Sequence, residues 1–190
     1  MKTLIIYAHP ETKGHNPLVL DEVLQTLKKR NISNEVIDLY KIKYNPVLQN
    51  NEHYTSGNKY VSEQNLEFQE KIKQSTHLIF IYPVWWGTMP AILHGFFDRV
   101  LTPGFAYHFK GSLPIGHLKD KKAIVIHTSG ASRITSSIIL GNRYKKMIKT
   151  HILNFCGIKT KVYHIDKATR LTPKQEDKIK KVVRKALQNI

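Results

Sequence analysis

The chain has little cysteine and no long apolar stretch. Its one cysteine, Cys156, has no partner for an internal disulfide, which also excludes a thiolate-rich metal site. No run of 18 or more apolar residues occurs, so the sequence predicts no transmembrane segment. Met1 leads directly into a strand-like segment, without the charged and apolar regions of a signal peptide. These absences favour a cytoplasmic protein in which Cys156 is a small apolar residue near a helix end.

Acidic residues are scarce as well. Asp and Glu number 14 against 30 Lys and Arg, which gives a formal net charge of +16. This excess favours anionic partners such as nucleic acid, acidic membranes or phosphorylated cofactors. The densest basic cluster, Lys174 to Lys185, alternates with apolar residues that share one helix face, so we interpret it as a solvated face. No recognition-helix motif or aromatic platform is present, and the sequence predicts no nucleic-acid partner.

Histidines are numerous, but they do not form a metal-binding pattern. The ten histidines are scattered, and neither H-E-x-x-H nor a comparable spacing occurs. The sequence therefore predicts no metal site.

Short apolar runs alternate with longer amphipathic ones along the whole chain. A length of 190 residues and 41% hydrophobic residues fit a single domain, 1–190. Five βα units predict an α/β fold, a doubly wound five-stranded parallel sheet with right-handed crossovers and helices on both faces. The predicted strands are Thr3–Ala8, Glu35–Asp38, His77–Tyr82, Ala123–Thr128 and Lys161–Ile165.

Helix signals lie between these strands. Asn16 is a predicted N-cap with Pro17 at the first helical position, and Thr172 begins a capping box before the last helix. Further helices are predicted after Pro90 and around Tyr144 to His151. The long irregular stretch from Tyr40 to Lys59 is interpreted as a cover or a subunit contact.

Three loops that follow strands carry the candidate chemistry. The loop from His9 to Pro17 combines a glycine, a cation and several donors and leads into a helix N-terminus, which favours an anion, although an ordinary βα turn explains it equally well. The loop from Tyr82 to Ala91 holds both tryptophans, which we expect to pack against a planar ring rather than only at the core or the crevice rim. The loop from Thr128 to Arg133 has small residues that permit close backbone approach. Because ligands of doubly wound sheets bind beyond the carboxyl ends of the strands, a phosphate-bearing aromatic cofactor fits all three loops.

The stretch YPVWWGTMPAILHGFFDRVLTPGFAY, from Tyr82 to Tyr107, resembles the NAD(P)H:quinone oxidoreductases, the DT-diaphorase family, and in particular its short bacterial members. That family has a proline and a tryptophan, then P-A-x-L-K-G-W, an acidic residue before R-V, and a final F-A-Y or W-A-Y. The Tyr7-Ala-His-Pro10 start and Asp38-Leu39-Tyr40 agree with it. The resemblance implies a flavodoxin-like fold with strand order 2-1-3-4-5, FMN (alternatively FAD), NAD(P)H as co-substrate, a quinone or other electrophile as acceptor, and a homodimer.

The resemblance also implies which residues form the site. Tyr107, with Phe109, would lie at the substrate mouth and reach a partner subunit's flavin. The animal enzymes have a tyrosine and a histidine downstream of the small-residue loop; here Ser132 to Ser137 offers neither, and Arg133 is our candidate for stabilising charge on the reduced flavin. The implied cofactor-binding residues are His9, Lys13, Gly14, His15 and Asn16 at the phosphate, Pro83, Val84, Trp85, Trp86 and Gly87 along the ring, and Thr128, Ser129, Gly130 and Ala131 along its pyrimidine edge.

The sequence is compatible with two other functions. A regulatory flavoprotein that binds a membrane potassium-efflux transporter would use the basic surface and the Tyr40–Lys59 stretch as contacts. An electron-carrier flavodoxin is disfavoured because such carriers are usually acidic. The positive charge mildly favours NADPH over NADH, and the sequence does not identify the physiological acceptor.

Overall fold

The computed structural model describes residues 2–53, 60–132, 134–135 and 141–190. Seven strands lie in these ranges, and each of the five predicted strands ends within two residues of its predicted bounds. The strands are β1 (Lys2–Tyr7), β2 (Ser33–Asp38), β3 (His77–Pro83), β4 (Tyr107–Lys110), β5 (Leu113–Gly116), β6 (Lys122–Thr128) and β7 (Lys159–Ile165). The helices are α1 (His15–Lys29), α2 (Glu63–Gln74), α3 (Ala91–Val100), α4 (Arg143–Lys146), which continues as a π-helical segment (Met147–Leu153), and α5 (Pro173–Leu187).

Five strands form one parallel sheet in the order β2-β1-β3-β6-β7. This is the predicted order 2-1-3-4-5, counted over the parallel strands, and the flavodoxin-like arrangement is confirmed. The short antiparallel hairpin β4–β5 was not predicted. No helix in the described part of the chain is long and apolar enough to cross a membrane.

The sheet is covered on both faces, as the nearly continuous apolar strands require. Alternate strand residues face opposite sides: Leu4 and Ile6 join the core under α2 and α3, whereas Ile5 joins the core under α1 and α5. In α5, Ile179 and Val183 are buried and Lys181 and Arg184 are exposed, so the basic cluster lies on the solvated side of an amphipathic helix.

The N-terminus of α1 differs from the prediction. The helix begins at His15 with Gly14 as N-cap, so Asn16 is not the cap and Pro17 lies at the third helical position. Asn16 is buried, and its side-chain amide donates to Thr128 Oγ1 at 2.9 Å instead. The prediction at α5 is confirmed for the cap itself, because Thr172 accepts from the backbone N–H of Gln175. The Gln175 side chain does not return to the cap, since it donates to the Lys167 carbonyl at 2.9 Å.

The described part of the irregular stretch, Tyr40 to His53, packs closely on α2 and α3. Arg99 of α3 donates to both carboxylate oxygens of Glu52, at 2.8 and 2.7 Å, and also to the Asn45 carbonyl. A Cβ on Gly95 would lie 2.1 Å from the Pro46 carbonyl oxygen, so only glycine permits this approach. Residues 54–59 of the stretch lie outside the described residues.

Candidate active site

The strand register brings the three candidate loops to one place. Tyr7 at the end of β1 is paired with Ile81 of β3, and Pro83 at the end of β3 is paired with Thr128 at the end of β6. The loops that follow these strands therefore leave the same edge of the sheet side by side. Two hydrogen bonds connect them directly: Val84 N donates to the Thr128 carbonyl at 2.7 Å, and Asn16 donates to the Thr128 hydroxyl.

The first loop leaves the N-terminus of α1 without a side-chain cap. Gly14 occupies the N-cap position with φ of 113°, and no atom lies within 4 Å of the position its Cβ would take. The first N–H groups of a helix have no intrahelical acceptor and carry the positive end of the helix dipole. An anion can therefore approach this backbone closely, and the exposed side chain of Lys13 adds a cation beside it.

His15 points to a ligand at the same place. Its Nε2 atom is buried and has no hydrogen-bond partner among the described residues. Desolvation by burial lowers the pKa of the imidazole, which favours the neutral ring. A neutral imidazole keeps one N–H that can donate to a phosphate oxygen. His9 is partly fixed in the same loop, since its Nδ1 accepts from the backbone N–H of Glu11 at 3.2 Å.

The second loop is a tight turn that presents both tryptophans. Trp85 and Thr88 exchange backbone hydrogen bonds of 2.9 and 3.0 Å, and the two residues between them, Trp86 and Gly87, have φ of 51° and 73°. Positive φ at both central positions is the geometry of a type I′ turn. The Trp86 side chain is fully exposed (103%) and Trp85 is 41% exposed, with its ring centroid 6.3 Å from that of His9. The core needs neither indole, and both lie where a planar ligand could cover them.

The third loop is tied to the turn that follows β7. Ser129 N donates to the Ile165 carbonyl at 3.0 Å, while the Ser129 and Ala131 carbonyls accept from Ala168 N at 2.8 Å and Lys167 N at 3.3 Å. Thr128 and Ser129 are buried, and Gly130 is exposed. The part of the loop beyond Thr128 is thus fixed to the turn that follows β7.

The two predicted catalytic residues have different outcomes. Arg133 lies outside the described residues. Tyr107 begins the hairpin, and its ring packs against Phe155 and Phe109, with centroids 4.8 and 5.6 Å apart. It borders a cavity of about 290 Å³ between the hairpin, α3 and the π-helical segment. Tyr107 thus belongs to an aromatic cluster of its own, which is distinct from the three loops.

A polar cluster that was not predicted from the sequence lies beneath the third loop. Ser129 Oγ lies 2.8 Å from His164 Nε2, and the Tyr144 hydroxyl lies 3.4 Å from His164 Nδ1. The ring of His127 lies 4.8 Å from that of His164 and 4.9 Å from that of Tyr144. A histidine one residue before the carboxyl end of each of two strands was the available signal, because His127 and His164 are paired in the β6–β7 register.

Comparison with known proteins agrees with this architecture. The flavodoxin-like fold family matches residues 1–190. Rat ribosyldihydronicotinamide dehydrogenase [quinone] is 31% identical, over 94% of this chain and 86% of the rat protein. The crystal structure of a Streptococcus mutans UA159 protein is 32% identical with a TM-score of 0.88 and covers 100% of both chains. An NAD(P)H:quinone oxidoreductase from Methanothermobacter marburgensis is 25% identical with a TM-score of 0.86, over 98% of this chain and 94% of that one.

Proposed function

The chain belongs to the flavodoxin-like fold family and, within it, to the relatives of the quinone-dependent dehydrogenases, and from this premise we propose that it is a flavin-dependent NAD(P)H:quinone oxidoreductase. The family resemblance seen between Tyr82 and Tyr107 is confirmed by these relatives. The observation that carries the proposal is the convergence of the three loops at one sheet edge, with both indoles exposed there.

We propose FMN as the flavin. The first loop offers one anion site, built from the uncapped α1 N-terminus, Lys13 and the buried Nε2 of His15. The single phosphate of FMN satisfies that site, and FAD is the alternative. In this arrangement Pro83 to Gly87 line the ring and Thr128 to Ala131 lie along its pyrimidine edge.

The protein residues supply position and electrostatics for the reaction. The flavin, when bound, would supply hydride and two-electron redox chemistry between NAD(P)H and a quinone or another electrophile, and the two substrates would use the same face in turn. Trp85 and Trp86 would hold the ring and exclude water from one side. Backbone N–H groups of the third loop would stabilise negative charge at the pyrimidine edge. The excess of 30 basic over 14 acidic residues favours phosphorylated co-substrates, NADPH in particular.

The alternative of a transporter-regulating subunit gains no support from the described residues, and the quinone-dependent relatives favour the enzyme. We also propose a cytoplasmic location. The lone thiol, Cys156, is buried, and burial raises its pKa to about 12, so it is protonated and inert as an apolar residue.

We expect the purified protein to be yellow and to release about one FMN per chain on heating, identified by mass. In steady-state assays with NAD(P)H and a quinone, double-reciprocal plots should give parallel lines, because both substrates use one face in turn. A colourless protein that takes up neither FMN nor FAD would contradict the flavin assignment. Intersecting lines would contradict the use of one flavin face by both substrates and would leave the flavin assignment intact.

We propose a homodimer in which the β4–β5 hairpin covers the partner's site. Phe109 and Leu113 of the hairpin are 53% and 68% exposed, and exposed apolar side chains that cluster on a surface commonly mark an interface. Tyr107, on the same hairpin, would then reach the acceptor at the partner's flavin.

Sedimentation of the flavin-loaded protein at micromolar concentration should show a dimer. Tyr107→Ala should raise the Michaelis constant for the quinone several-fold, about as much as the loss of one aromatic contact allows, with flavin affinity unchanged. Leu66→Ala, an exposed leucine on α2, is the matched control. A fully active monomer would rule out the dimer and leave the flavin assignment intact.

A further inference from the structure

The polar cluster beneath the third loop is a directed chain of hydrogen bonds. The Ala131 carbonyl can only accept, so the Ser129 hydroxyl, 3.2 Å away, donates its single proton there. With the hydroxyl proton directed at the Ala131 carbonyl, Ser129 Oγ accepts from His164 Nε2, 2.8 Å away, in the tautomer that carries the imidazole proton on Nε2. His164 Nδ1 is left as an acceptor for the Tyr144 hydroxyl at 3.4 Å. One tautomer of His164 therefore satisfies all three of these hydrogen bonds.

These hydrogen bonds determine the orientation of two peptide groups. The Ser129 and Ala131 carbonyls both point to the turn after β7, where they accept from Ala168 N and Lys167 N. A trans peptide is planar with its C=O and N–H antiparallel, and the described residues contain no cis peptide. The N–H groups of Gly130 and Ser132 therefore point away from β7. Because β6 lies between β7 and β3 in the sheet, that direction is towards the tryptophan turn and the crevice.

The Ala131 carbonyl accepts two hydrogen bonds, one from Lys167 N and one from the Ser129 hydroxyl. The bond from Lys167 N is long, at 3.3 Å. The orientation of the Ser132 N–H thus depends on the Ser129 hydroxyl, which in turn depends on His164. Tyr144 and Ser129 are both buried, so little solvent competes for these bonds.

We propose that His164 is a positioning residue for the flavin: through Ser129 it holds the 128–132 backbone so that its N–H groups face the pyrimidine edge. The inference rests on the proposed function and extends it to residues outside the three loops. His164 touches neither flavin nor substrate in this role. It orients the backbone N–H groups that would contact the flavin.

The test compares His164→Ala with His164→Gln, because a glutamine amide can donate to Ser129 Oγ as the imidazole Nε2–H does. We expect His164→Ala to weaken FMN binding about five- to tenfold, the effect of losing one buried hydrogen bond. It should also make the two-electron midpoint potential of bound FMN more negative and speed amide hydrogen exchange at 129–132 in the flavin-free protein. His164→Gln should restore most of the FMN affinity, the midpoint potential and the protection from amide exchange. His94→Ala, which removes a half-exposed histidine on α3, is the control and should change none of them.

Two results would overturn the proposal: a His164→Ala variant with wild-type FMN affinity and exchange, or a folded His164→Gln variant as impaired as His164→Ala. If His164→Ala does not fold, Ser129→Ala takes its place, and unchanged exchange at 130–132 in that variant would equally overturn it. Failure of the proposed function would look different, since the wild-type protein would bind no flavin. The exchange comparison in flavin-free protein would still decide the positioning role.

Discussion

Replacing Trp86 by alanine is expected to weaken flavin binding about five- to 150-fold, since stacking and burial of an indole contribute on the order of 1–3 kcal/mol. The flavin-free protein should keep its stability, because the Trp86 side chain is fully exposed and contributes nothing to the core. Alanine also retains the Cβ, so the cost of the positive φ of 51° is the same in both proteins. The loss therefore reports on ligand contact alone.

Fluorescence titration with FMN measures the affinity, and thermal unfolding of the flavin-free variant checks the stability. Trp86→Phe should recover most of the affinity, because phenylalanine still offers a planar ring. Leu66→Ala removes a similarly exposed apolar side chain from α2 and should leave the FMN affinity unchanged. Wild-type affinity in a folded Trp86→Ala variant would show that this tryptophan belongs only to the crevice rim.

The fold was predictable because its signals are strong and local. Parallel strands buried on both faces read as continuous apolar runs, and His77–Tyr82 and Ala123–Thr128 were found within one residue of β3 and β6. The convergence of the three loops followed from the rule that parallel strands end at one edge, which the pairing of Pro83 with Thr128 realises. The roles of individual residues in that site remain predictions.

The errors have a common physical cause, which is that distant partners override local preferences. Asn16 has the side chain of a good N-cap, yet it bonds Thr128, 112 residues away, and Gly14 becomes the cap. Tyr144 and His164 could not be placed beside Ser129 from sequence spacing, because the β6–β7 register and the fold of α4 bring them there. The hairpin β4–β5 was missed because each strand has only four residues, which is too short for the alternation in Tyr107–Lys110 to identify a strand.

Acidification is expected to destabilise the protein through His127. The side chain is fully buried in β6, and neither ring nitrogen has a hydrogen-bond partner among the described residues. Desolvation by burial, with smaller contributions from His164 and Lys145, lowers its pKa from 6.5 to about 3. The groups that face it are Tyr82 on β3, Tyr144 and Lys145 on α4, and His164 on β7, and none of them is a carboxylate that would favour the charged ring.

The sign of the effect follows from linkage. In the unfolded chain His127 is protonated below pH 6.5, whereas in the folded chain it stays neutral down to about pH 3. The free energy of unfolding is therefore unaffected by this residue above pH 6.5 and decreases as the pH falls from 6.5 to about 3. Between pH 7 and pH 5 the loss from this residue should be about 2 kcal/mol, and over the whole window on the order of 4 kcal/mol. Urea unfolding of the flavin-free protein at both pH values measures the first figure.

His127→Phe isolates this contribution. Phenylalanine keeps a ring between Tyr82 and Tyr144 and buries no nitrogen, so the variant should lose about 2 kcal/mol less than the wild-type protein between pH 7 and pH 5. Any misfit of the larger ring would shift stability equally at both pH values and leave this difference intact. His15 and His77, whose pKa values are also lowered by burial, titrate alike in both proteins and cancel. Equal pH dependence in the two proteins would mean that the folded chain accepts a proton on His127 as readily as the unfolded chain, and that this imidazole is hydrated rather than buried dry.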